Sequence, residues 1–192
     1  MSFYLQCYSV RGLNVVAAAN IASTINNLFN VVLLSIGSAV GIMVGQNLGA
    51  NEIDEAKKTS WRLIFLSVSV CSLIGVILAL LSPYIPHIYN TETEVKQLAT
   101  TFLIVIAVMM PFASLTHDTY FIIRAGGKTF ITFLFDSAFM WVVGVPLAFV
   151  LANYTNMNVS LVYFCVLSLD IIKSVIGFFL IKKGIWISNI IK

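Results

Sequence analysis

Residues 12–51 run without a single Asp, Glu, Lys or Arg, and residues 63–91, 97–116 and 137–169 repeat the pattern. An α-helix rises about 1.5 Å per residue, so about 20 apolar residues cross the roughly 30 Å hydrocarbon core of a bilayer. Charged side chains make up 10% of the 192 residues and apolar ones 59%, whereas a soluble domain carries about 25% charge. Too few charges remain to cover a water-facing surface. The expected class is therefore an all-α integral membrane protein.

The net charge of +3 says less than its placement. The basic residues sit at the ends of the apolar runs and do not interleave with aromatics, which argues against a nucleic-acid partner. Cys7, Cys71 and Cys165 lie in apolar sequence at no metal-ligand spacing and read as small buried hydrophobes, with no metal site expected. The apolar start at residues 2–10 is too short to span and lacks a basic leader. It reads as the tail of a helix whose beginning is missing.

Five spanning helices are expected at about 14–48, 54–82, 93–123, 130–153 and 158–181, with no soluble domain. Gly49 and Asp54 are read as caps for the first two, Pro83 and Pro86 as the stop of the second, and Gly126-Gly127 as that of the third. Alternating the loops across the membrane gives one side Lys57, Lys58, Arg62, Arg124, Lys128, Lys182, Lys183 and Lys192. The other side receives only Arg11 and Lys96. By the positive-inside rule the C-terminus is expected in the cytoplasm. One further span before residue 1 would make a six-helix unit with both ends inside.

Two segments on the basic side carry local signatures. Gly45-Gln46-Asn47-Leu48-Gly49-Ala50, followed by Glu52 and Ala56-Lys57, resembles the G-Q-x-x-G-A…A-K segment of multidrug and toxic compound extrusion (MATE) transporters. Arg124-Ala125-Gly126-Gly127-Lys128-Thr129 is similar to that family's R-A/G-G-x-D/K-T loop. Asp136, Trp141 and Pro146 resemble the D…W…P pattern of its next helix. The resemblance implies twelve helices in two six-helix lobes (6+6) facing a central cavity. This chain would be a C-terminal lobe without its first helix, with the N-terminal lobe as its missing partner. It also implies residence in the cell membrane and efflux of small organic cations against inward Na+ or H+, with no other cofactor. Where many members of one branch carry an acid eleven residues before the loop arginine, this chain has Ala113.

The chemistry-bearing residues divide into three sets. Gly37, Gly41, Gly45 and Gly49 recur every fourth residue, a stripe for close helix packing or for a sliding seam. Asn20, Thr24 and Asn27 share one helix face, lining either a cavity or an interhelical hydrogen-bond network. Intramembrane ionisable groups are costly and read as candidate coupling sites: His117, Asp118, Asp136, Asp170 and Lys173. Asp136 is expected to pair with Arg124 or Lys128 unless it binds a coupling cation. Asp170 and Lys173, at i, i+3, are expected either to pair within their own helix or to act as a protonation-sensitive switch. His117 reads as a hydrogen-bonding residue or a proton relay. Pro111 and Pro146 permit bends. Beside them Met109, Phe112, Tyr120, Met140 and Trp141 offer either ordinary packing or an adaptable wall for bulky cations.

No nucleophile elbow, HExxH or phosphate-cradling loop occurs, so an enzyme is not expected. Three functions remain in view. The first is secondary active efflux by alternating access. The second is a flippase for lipid-linked saccharides, which calls for several basic groups where only Lys173 lies inside the membrane. The third is a non-transporting scaffold subunit, in which every buried polar group is paired.

Overall fold

The computed structural model of the chain describes residues 7–155 and 157–187. Residues 2–6 of the short apolar start, Asn156 of the 154–157 loop and Lys192 fall outside that range. Five helices are long and apolar enough to cross a membrane: α1 Leu13–Gly49, α2 Ile53–Leu81, α3 Thr93–Ala125, α4 Thr129–Tyr154 and α5 Val159–Lys182. The protein is a multi-pass membrane protein, with no strand among the described residues.

The helix ends follow elementary rules, with two corrections. Gly49 is the last helical residue of α1, not its cap; the positive φ falls at Asn51, at 61°. Asp54 sits inside the first turn of α2 with Glu55 and makes no cap bond, where a carboxylate meets the positive end of the helix dipole. Gly127 closes α3 with φ 76°, and the Lys128 amide returns 3.2 Å to the Ile123 carbonyl. A side chain would be strained in that left-handed turn. Arg11 holds the far end of α4 by donating to the carbonyls of Leu151, Ala152 and Thr155.

The central helix is α3, packed against α1, α2 and α5. Of the most apolar window of each span, 44% is buried in α3 and 17% in α4. Each of the three neighbours approaches α3 through glycine. A Cβ on Gly37 would lie 2.6 Å from the Phe121 ring and one on Gly41 3.3 Å from the Phe121 carbonyl oxygen. One on Gly75 of α2 would lie 2.6 Å from the Ala107 carbonyl oxygen, and one on Gly177 of α5 2.7 Å from Thr119 Oγ1. Half of the stripe on α1 is therefore a packing seam. Gly45 has only ordinary contact with Ala125, and Gly49 faces open space.

Two apolar clusters form along this hub. One, near the loop that joins α2 to α3, gathers Tyr8, Ala18, Ala22, Leu78, Phe102 and Val162. The other, at the basic end, gathers Val40, Val44, Ile64, Ile122, Ile181 and Trp186. Polar contacts lie between them. Ser67 and Ser114 share a hydrogen bond of 2.6 Å, and Thr116 and Ser174 one of 3.2 Å.

The two prolines behave differently. α3 runs unbroken through Pro111. In α4, Pro146 lies at the start of the regular segment Val145–Tyr154 and removes one backbone donor from the helix. The turns before it, Leu134–Ala138 and Met140–Gly144, are widened to π geometry. α5 has a break without a proline. Ser168 leaves the α-helical pattern between Val159–Leu167 and Leu169–Lys182, and its hydroxyl donates 2.7 Å to the Cys165 carbonyl.

Candidate functional site

The wide turns of α4 and the break in α5 lie at similar depth, and between them sits the charge cluster of the membrane interior. Lys173 is one turn beyond Asp170, just past the Ser168 break. Its side chain is 12% exposed, and its Nζ stands 3.4 Å from Asp136 Oδ1 on α4. The same ammonium lies 5.5 Å from the centre of the Phe139 ring, within reach of a cation–π attraction. α5 is tied to α3 at this level. The Ser174 hydroxyl contacts the Phe112 carbonyl at 2.8 Å, the Asp170 carbonyl at 2.7 Å and Thr116.

This geometry corrects two expectations about pairing. Lys173 pairs across the helix interface with Asp136 and not along its own helix with Asp170. Asp136 in turn takes Lys173 and neither Arg124 nor Lys128. Arg124 and Lys128 belong to the α3–α4 turn at the basic end, where water solvates them. At the depth of Asp136 the cation that α5 offers is Lys173. Two carboxylates, Asp136 and Asp170, thus stand beside one ammonium.

Two cavities meet at this cluster. One, of about 240 Å³, lies toward the end opposite the basic loops and is lined by Tyr8, Ser23, Asn26, Phe139, Met140 and Tyr163. The second, of about 230 Å³, lies toward the basic end, lined by Leu34, Ala113, Thr116, His117, Tyr120 and Asp136. Asp170 and Lys173 line both. The wall of the first cavity is aromatic, with Tyr163 stacked on Phe102 at 4.3 Å between ring centres and tilted against Tyr8 at 5.8 Å. The cluster is therefore the septum between two half-cavities.

Of the residues singled out in the sequence, the structure brings together His117, Asp136, Asp170, Lys173 and Tyr120. Met140 joins the first cavity. Asn20, Thr24 and Asn27 do not line either cavity; they are exposed, and the Thr24 hydroxyl donates to the Asn20 carbonyl of its own helix at 2.9 Å. The polar residues of α1 that do line a cavity are Ser23 and Asn26. Ala19, Ser23 and Asn26 follow the same i, i+4, i+7 spacing one step around the helix, which was the signal available for them. Met109 is buried and Trp141 is 56% exposed, and neither lines a cavity. Phe112 takes part through its carbonyl. Asp118 faces α2, away from the cluster. Among the described residues no three His, Cys, Asp or Glu side chains converge as a metal-ligand set.

The family model described as MatE matches residues 1–150. A probable multidrug resistance protein NorM of Oceanobacillus iheyensis is 26% identical over 145 residues, 76% of this chain and 32% of that protein. One of Bacillus cereus is 27% identical over 141 residues, 73% of this chain and 31% of its own. The probable multidrug resistance protein YoeA of Bacillus subtilis is 26% identical over 151 residues, 77% of this chain and 32% of its own. The chain thus spans about a third of the length of these relatives.

Proposed function

The chain belongs to the MatE family, and on that footing we propose that it is part of a secondary exporter of bulky organic cations, working by alternating access. The observation that carries this reading is the septum. Asp170 and Lys173 line both of two adjoining cavities that lie toward opposite ends of the helices, and Asp136, paired with Lys173, lines the second. Such a partition suits a carrier, because the site between the cavities faces one side or the other according to which cavity is continuous with water. The relatives are named for multidrug resistance, which agrees with an apolar, aromatic wall above a negative floor.

In this reading the carboxyl groups of the cluster take a cation. An organic cation approaching through the first cavity would meet Tyr8, Tyr163 and Phe139 as ring faces and Asp170 as the counter-charge. Inward Na+ or H+ would occupy the same carboxylates on the return step, so that substrate and coupling ion compete for one charge. The remaining length found in the relatives would supply the second lobe. The basic end, and with it the C-terminal side, would face the cytoplasm of a cell membrane.

The flippase reading fits less well. A diphosphate needs several free cationic donors, and Lys173 is already committed to Asp136. A scaffold subunit predicts that every buried polar group is paired, whereas both carboxyl oxygens of the buried Asp118 lack a hydrogen-bond partner.

The test uses the whole natural polypeptide in drug-sensitive cells, with efflux of a fluorescent organic cation as the readout. Asp136→Asn is expected to lower the efflux rate at least tenfold with unchanged abundance in the membrane. Full efflux by this variant would overturn the assignment of the septum.

A further inference from the structure

Asp118 lies outside the mechanism described above and is the strongest anomaly in the packed core. It is 1% exposed, and both of its carboxylate oxygens lack a hydrogen-bond partner. It sits on the hub helix α3 and faces α2, with Ser67 and Cys71 beside it. Ser67 and Ser114, 2% and 1% exposed, share a hydrogen bond of 2.6 Å at the same interface. Polar groups are thus present, but they are hydroxyls, and no cation is among them.

The charged groups of the other helices are turned elsewhere. On α4 and α5, Asp136, Asp170 and Lys173 line the second cavity together with His117, the residue preceding Asp118 on α3. α1 meets this part of α3 through Gly37 and Gly41, which carry no side chain. From α2 the titratable group nearby is the Cys71 thiol, itself 1% exposed. None of the ion pairs among the described residues includes Asp118.

An ionised carboxylate in such a place would be desolvated with nothing to compensate it, the most unfavourable arrangement a buried acid can adopt. A neutral acid needs far less, because its hydroxyl requires one acceptor and its carbonyl tolerates an apolar surrounding. The Ser67 hydroxyl beside Asp118 is able to serve as that acceptor, and it shares its own hydrogen bond with Ser114.

We propose that Asp118, Ser67 and Ser114 form a proton-binding site, separate from the Lys173 cluster, in which the acid is carried uncharged between α2 and α3. A metal cation is disfavoured there, since Asp118 and two hydroxyls leave most of a cation's oxygen shell unfilled. Loss of the proton would place a bare charge in the α2–α3 interface and force it apart, so protonation and the packing of these helices are one equilibrium. The proposal holds whether or not the chain transports organic cations.

Infrared difference spectroscopy reads the proton directly. Spectra of the whole natural polypeptide in lipid membranes at neutral pH are recorded for the wild type and for Asp118→Asn. The C=O stretch of a protonated carboxylic acid is expected in the wild type and absent from the variant. A difference confined to the bands of an ionised carboxylate would overturn the proposal. Ser67→Ala serves as the second variant, and carries the test by itself if Asp118→Asn does not accumulate. It is expected to keep the acid band and shift it to higher frequency, as the hydrogen bond to Ser67 is lost. An unshifted band, or no acid band in the wild type, would overturn the assignment.

Discussion

α3 and α4 are both apolar spans that carry a proline and an intramembrane aspartate, yet the structure treats them differently. α3 is enclosed by three helices and stays regular through Pro111. α4 has 17% of its apolar window buried, and two of its turns are widened. The difference lies in what surrounds them. Glycines on α1, α2 and α5 bring three backbones onto α3, and close packing fixes its path. α4 contacts the bundle mostly through its ends and its neighbours in sequence, so its backbone is free to widen where Asp136 turns to Lys173. Packing fixes the path of α3, whereas α4 has little of it among the described residues.

The largest effect should come from filling a hub glycine. A Cβ at Gly75 would stand 2.6 Å from the Ala107 carbonyl oxygen, a backbone atom that cannot swing aside as a side chain does. Overpacking of this kind costs about 1–3 kcal/mol, and a full Leu side chain should reach the upper part of that range or beyond. Gly75→Leu is therefore expected to reduce membrane abundance and lower the unfolding midpoint in detergent sharply. Wild-type behaviour would show that α2 is not held on α3 by close approach, and the contrast between the two helices would collapse.

A smaller effect on stability, with a larger one on transport, is expected at the septum. Lys173→Met removes the ammonium while keeping an apolar stem of similar length. The Asp136 side chain is 57% exposed and lines the second cavity, and ion pairs with one exposed partner contribute about 0–1 kcal/mol. The unfolding midpoint should therefore move little, while cation efflux by the whole polypeptide falls. A large loss of stability would make the pair a structural pin and would move α4 into the same class as α3.

These outcomes also separate what the sequence carries from what it does not. The charge-free runs give five spans because bilayer thickness leaves little choice of helix length. The stripe on α1 is visible because four glycines repeat, although only Gly37 and Gly41 meet Phe121 closely. Gly75 and Gly177 leave no such trace, since a single small residue has no spacing to read. The partner of Lys173 is hidden for another reason. Thirty-seven residues separate it from Asp136, and the pairing depends on which helices are neighbours. Local rules favour Asp170, three residues away. Pro146 announces an irregularity in α4 but not that the turns before it widen, and the irregularity at Ser168 has no proline beside it.

The smallest expected effect is at the end of the stripe, and it tests whether repetition or contact decides what a glycine does. Gly41 and Gly49 occupy equivalent places in the four-residue pattern. A Cβ at Gly41 would stand 3.3 Å from the Phe121 carbonyl oxygen, while one at Gly49 would meet nothing within 4 Å. Alanine is preferred over glycine in a helix by about 0.5–1 kcal/mol, and at the final helical residue only part of that is gained. Gly49→Ala is therefore expected to leave the unfolding midpoint unchanged or raise it slightly. Gly41→Ala should fail to show that gain, because α1 or α3 must yield a few tenths of an ångström. Equal shifts at both positions would mean that the spacing, not the approach to Phe121, accounts for the stripe. In that case α3 would owe its burial to something other than the glycines of its neighbours.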